Sequence, residues 1–146
     1  MAELVPVTVT GVVRGTEDGP KRRERFFIEV ATISDDWIER DPRRLRIGVG
    51  DAEAAALAFS LQGAEFPRPM TYQLMASLVA AAGSAVRSVW ITGCHDGVYY
   101  AQVMLRGGGC VDARPSDALN LAVTTGASVF VADALLDVPT SPRTVR

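Results

Sequence analysis

Val5, Val7, Val9 and Val13, with Thr8, Thr10 and Val12 between them, make a period-two run of β-branched residues that predicts a strand over 5–13. A polar loop containing Gly19-Pro20 separates it from a second run over 25–32, with Phe26, Ile28 and Val30 on one face, and the pair predicts a hairpin. Residues 34–44 are charged and nearly balanced in sign, with Trp37 the expected anchor. Leu45, Ile47 and Val49 alternate up to Gly50, and an alanine-rich helix over 51–62 should follow, stopped by Gly63. Phe66-Pro67-Arg68-Pro69 reads as an extended connector, because each residue ahead of a proline is pushed out of the helical region. A second helix is predicted over 71–82, with Leu74, Leu78 and Ala82 on one face.

Residues 86–92 and 98–105 give the clearest hairpin, closed by His95-Asp96-Gly97, where Asp-Gly supplies the positive φ values of a tight turn. Alternation sets Tyr99, Ala101, Val103 and Leu105 against Tyr100, Gln102, Met104 and Arg106. Arg106-Gly107-Gly108-Gly109 leads into another strand, 110–113, so it is a hairpin connection and not a phosphate loop. In Arg114-Pro115-Ser116-Asp117-Ala118-Leu119-Asn120-Leu121-Ala122-Val123 the proline keeps Arg114 extended. Ser116 is placed to cap a helix by accepting from the N–H of Ala118 or Leu119, and Asp117 sets a negative charge at its positive end. Leu119, Ala122 and Val123 recur at helical spacing up to Thr124-Thr125-Gly126; a strand over 128–132, a helical turn over 134–138 and a frayed tail over 139–146 follow. Hairpins mixed with strand-helix units predict one α+β domain over 1–138, a mixed, mostly antiparallel β-sheet with about three helices packed on it.

Composition matters more for chemistry than for the fold. At 146 residues the chain can bury a sizeable core without a cofactor to hold it. A net charge of −2 gives the whole chain no electrostatic attraction to nucleic acid, which argues against a pure DNA-binding protein. Nine of the fifteen basic residues lie between Arg14 and Arg46, but eight acidic residues share that interval, so it reads as a solvated charged region. Cys94, Cys110 and the lone His95 are too few soft ligands for structural zinc; two reduced, mostly buried thiols and a turn histidine are expected. No secretory leader pattern opens the chain and no apolar run reaches the length of a membrane span, so cytoplasm is the expected location.

The Arg114-Pro115-Ser116-Asp117-Ala118 stretch resembles the signature of the bifunctional nuclease family, a small bacterial and plant domain credited with DNase and RNase activity. Three further blocks are similar in order: Leu45-x-Ile47-x-Val49-Gly50-x-x-Glu53-Ala54, then Gly63 through Phe66-Pro67-Arg68-Pro69-x-Thr71, then Gly97-x-Tyr99-Tyr100-Ala101. The chain departs from the family at Tyr72-Gln73, where the resemblance would place His-Asp or His-Glu.

The resemblance implies hydrolysis of phosphodiester bonds in DNA and RNA with low sequence specificity. That chemistry needs charge neutralisation on the phosphate, a deprotonated attacking group, and usually a metal held by carboxylates. Glu53, Arg114 and Asp117 are the expected catalytic set, with Mg2+ or Mn2+ at Glu53 and Asp117, and Asp112 a further candidate carboxylate. Arg68, Thr71, Arg114 and Ser116 are the expected substrate contacts, Arg68 being pinned between two prolines. Architectural alternatives stand beside these roles: Asp112 and Arg114 share a strand face and can pair, Arg114 can neutralise Asp117, and Glu53 can simply stabilise its helix start. The acidic balance and the missing histidine favour a second reading, a non-catalytic regulatory or ligand- and protein-binding module. The alanine-rich first helix and apolar hairpin suggest a homo-oligomer.

Overall fold

The alternating valines form a strand longer than their pattern suggests. In the computed structural model, which describes residues 3–17, 20–21, 23–33 and 42–137, β1 (Leu4–Glu17) pairs antiparallel with β2 (Arg23–Thr32). Arg14, Gly15, Thr16 and Glu17 are therefore strand, not loop, each opposite a residue from 23 to 26. Their side chains give no apolar alternation, and the backbone ladder is reinforced by Arg25 donating to Glu17 at 2.9 Å. Trp37 and the 139–146 tail lie outside the described residues.

β3 (Arg44–Val49) adds to the free edge of β2, and Gly50 passes the chain into helix α1 (Asp51–Leu61). The connector delivers α2 (Thr71–Ala81), after which β4 (Val86–His95), β5 (Val98–Leu105) and β6 (Cys110–Ala113) form a second antiparallel meander. Asp96 (φ 50°) and Gly97 (φ 77°) make its tight turn, as the Asp-Gly pair predicts, and His95 ends β4 beside it. Helix α3 (Pro115–Thr125) then leads to β7 (Ser128–Ala132) and a single 3-10 turn, Asp133–Leu135.

The two meanders are joined by the last strand. Among the described residues the sheet order is β3-β2-β1-β7-β4-β5-β6, with β7 antiparallel to β1 and parallel to β4. To reach that slot from the β6 edge the chain must cross the sheet, and α3 makes the crossing. The result is a single α+β domain with a mixed, mostly antiparallel sheet and three helices.

Alternate strand residues Val7, Ile28, Val30, Ile47, Val89, Ile91, Val103, Val129 and Val131 meet Leu57 of α1 and Leu119 of α3 in one buried core. At roughly 1.5–3 kcal/mol for each fully buried side chain, this layer is the main source of stability. Among the described residues between Arg14 and Arg46, several charges pair: Arg46 donates to Glu29 at 2.9 Å, Arg44 lies 3.7 Å from it, and Arg43 reaches Asp133 in the 3-10 turn at 2.6 Å. One expectation needs correction: Cys110 is exposed, because β6 is a four-residue edge strand. On α2 the face with Leu74 and Leu78 turns to solvent while Tyr72 turns inward. No helix among the described residues is long and apolar enough to cross a membrane.

Candidate functional site

Each helix gives one side chain from its first turn to a single cluster. Glu53 is the third residue of α1, Tyr72 the second of α2 and Asp117 the third of α3, while Arg114 is the residue that caps α3. Arg114 is extended (φ −70°, ψ 144°), as required ahead of proline, and Pro115 opens the helix where its missing N–H costs nothing. Ser116 is thus inside the first turn and is not the cap; the Arg114 carbonyl accepts from the Ala118 N–H, and no side chain caps the end. The preset φ of proline starts the helix two residues earlier than a cap at Ser116 would, at Pro115 and not Asp117.

Asp117 is held from two directions. Arg114 donates Nε to Oδ2 at 2.9 Å and Nη2 to Oδ1 at 3.1 Å, a side-on fork, and the Tyr72 phenol donates to Oδ1 at 2.6 Å. The same Nη2 reaches Glu53 Oε1 at 3.3 Å. Glu53 curls back over Gly50, where a Cβ would lie 2.5 Å from Oε2, so a side chain at that corner would have to displace the tip of the carboxylate. Arg114 keeps 67% of its side chain exposed, and its Nη1 makes no hydrogen bond among the described residues.

Burial by itself pushes Asp117 up, but hydrogen bonds from Arg114 and Tyr72 and the Arg114 charge outweigh it, so its carboxyl sits below the usual range. Tyr72 moves the opposite way: burial, then the hydrogen bond to Asp117 and its charge, hold the phenol protonated well above ordinary tyrosine. Arg114 is raised by its bonds to Asp117. Neither Asp117, whose oxygens are engaged, nor Tyr72 is a proton acceptor near neutral pH. Glu53, with one oxygen bound by Arg114, is the carboxylate left for such work.

The structure brings Glu53, Arg114 and Asp117 together and leaves the other candidates apart. Arg68 is exposed on the connector without a contact to the cluster, Thr71 is exposed at the start of α2, and Ser116 is buried. Asp112 is exposed on β6 and does not pair with Arg114, whose partners are the two other carboxylates.

Two residues join that sequence reasoning passed over. Tyr72, standing where a histidine was expected, supplies the hydrogen bond to Asp117. Asn120, fully buried, donates to the carbonyls of Glu53 (3.1 Å) and Ser116 (2.9 Å) and so ties α1 to α3 directly behind the cluster. Its signal was available: one amide in the otherwise apolar run from Ala118 to Val123.

The donor set does not suit a resident Mg2+ or Mn2+. Such ions want several oxygen ligands in near-octahedral array. Glu53 and Asp117 already share a guanidinium, and no group of three or more His, Cys, Asp or Glu gathers among the described residues.

Comparison with known proteins places this frame. The family model described as the bifunctional nuclease domain matches residues 37–142, and the chain belongs to that family. It is 39% identical over 94 residues to the uncharacterized protein Rv1829 of Mycobacterium tuberculosis and, to the same extent, to the uncharacterized protein MT1877 of another strain. The match takes in 64% of this chain and 57% of each relative, so the chain spans little more than half the length of either.

Asn120→Ala removes the side-chain link between the backbones of α1 and α3 from a fully buried position and is expected to cost about 1–3 kcal/mol in urea unfolding; a loss under a few tenths would contradict its bridging role. The pH dependence follows from the two shifts. Asp117 is lowered on folding, so its stabilisation is complete above its ordinary 3.8 and is lost as pH falls through the folded value. Tyr72 is raised, so its stabilisation is complete below its ordinary 10.0 and is lost as pH climbs past it. The stability gap between wild type and Tyr72→Phe should therefore close in strong alkali, and phenolate absorbance should show one late-ionising tyrosine fewer in the variant. A gap independent of pH would refute the Tyr72–Asp117 assignment.

Proposed function

We propose that this protein is a nuclease that cleaves DNA and RNA with low sequence specificity and that the cluster at the start of α3 contacts the scissile phosphate. The observation that carries this reading is Arg114, a guanidinium held by two carboxylates yet two-thirds exposed, with one nitrogen free to face an anion. A pre-oriented donor of this kind stabilises charge that develops on phosphate without reorganising during the reaction. The positive ends of three helix dipoles add to it locally, on a chain whose overall charge is negative. Glu53 is the proposed acid or base, Asp117 and Tyr72 orient Arg114, and Arg68 and Thr71 are proposed backbone contacts near the start of α2. Membership of the bifunctional nuclease domain family supports the substrate class.

A second reading has its own support. Asp117 is locked as an anion and Tyr72 as a phenol, an arrangement equally suited to a module that binds an anionic ligand or partner without cutting it.

Arg114→Ala is expected to lower cleavage of plasmid DNA and of single-stranded RNA by about 100-fold, the usual cost of deleting one charge-stabilising donor, while the variant stays folded by circular dichroism. Wild-type protein that leaves both substrates whole, with a control nuclease active, overturns the hydrolase reading. Anion binding that Arg114→Ala abolishes, without cleavage, establishes the second one. Because Arg114 sits between the carboxylates, cleavage is expected to persist in EDTA; strict dependence on added Mg2+ or Mn2+ would mean that Glu53 and Asp117 exchange the arginine for a metal.

A further inference from the structure

We propose that the outer face of α2, with the adjoining end of α1 and the connector, is a two-fold interface with a second copy of this chain. The inference does not depend on the nuclease reading. α2 has 11 residues, of which Tyr72 alone is buried, with Met75 and Ala76 packed partly against the core. Helices shorter than about 12–15 residues are marginal in water and draw their stability from a packed face. Here the outward face carries Met70, Leu74 and Leu78 at successive four-residue steps, exposed by 49%, 52% and 60%. Phe59 and Phe66, also exposed and set edge to face at 5.6 Å, share a groove of about 240 Å3 with Met70 and Tyr72.

The sequence across this region is as unusual as the surface. Between Glu53 and Arg87 the charged residues are Glu65 and Arg68, in a chain that is 22% charged. Surfaces left in water are laced with charge, whereas the cores of interfaces are depleted in it. Those five side chains present on the order of 500 Å2 of apolar area, near the upper end for the largest patch on a monomer. The flanking exposed Ser77, Ala80 and Ala81 of α2 bring the face toward the roughly 800 Å2 per partner that a standard interface buries.

A second copy is the occupant that fits. The patch offers almost no charge for an acidic or basic partner to complement, and an apolar stripe beside an apolar groove is self-complementary about a two-fold axis, the commonest closed symmetry. Each copy's Leu74 and Leu78 ridge can then enter the other's Phe59–Phe66 groove. Tyr72 lines that groove while bonding Asp117, so the interface would abut the cluster.

Light scattering or sedimentation of the full chain at micromolar concentration should give twice 15.6 kDa. Leu74→Glu combined with Leu78→Glu should give a single-copy mass with an unchanged circular dichroism spectrum. Should the glutamates disturb the fold, Leu78→Gln, a milder change on an exposed side chain, should weaken dimerisation about tenfold. A wild type of single-copy mass overturns the proposal, including one that assembles only when another protein is supplied. An assembly that persists unweakened in these variants overturns it too.

Discussion

Helix α3 is sealed along most of its length, and the rest of the molecule is arranged to make that possible. Ala118, Leu119, Asn120, Leu121 and Ala122 are consecutive and all buried, so the helix has almost no solvent side. Sheet lies beneath it, and α1 and α2 pack against it. Such a helix cannot slide or rotate without breaking several contacts at once. Its first turn is therefore a fixed point, and the polar side chains that emerge there inherit a rigid base. That is why a long, flexible arginine can hold a defined position while mostly exposed.

The polar groups at this corner form a hierarchy. Asn120 sets the spacing of α1 and α3 through backbone carbonyls, Tyr72 brings in α2, and Arg114 links the carboxylates that the two helices present. An exposed ion pair taken alone contributes little, typically under 1 kcal/mol. The value of Arg114 lies in its orientation. Tyr72, at the position where a histidine was expected, sets the chemistry of the corner: a phenol bonded to an ionised carboxylate stays protonated, where an imidazole would titrate close to neutral pH.

Much of this was legible in the residues. Period-two runs located the strands, Asp96-Gly97 the turn of the second hairpin, and Gly63 and Gly126 the helix ends; the start of α3 was set two residues late, at a Ser116 cap, because Pro115 opens the helix without one. Strand order was not, because pairing between β7, β1 and β4 is set by the crossover, which no local pattern encodes. The polar continuation of β1 past Val13 was missed for a related reason: an edge ribbon held by backbone bonds and charge pairs carries no apolar alternation. At the site, Glu53, Arg114 and Asp117 were separable from the background as charges at helix starts. Tyr72 was not, since its importance comes from which neighbour its polar tip reaches, and that depends on tertiary placement; Asn120 stood out as a lone amide in an apolar run, but its partners did not.

The position of β7 has a consequence for synthesis. It is the last of the seven strands to be made and one of the most central, so while the chain emerges its two meanders exist as separate ribbons. Until β7 arrives, β1 and β4 each present a raw edge of the kind that invites pairing with other chains. This strand order therefore makes the late arrival of β7 the step that closes both edges at once.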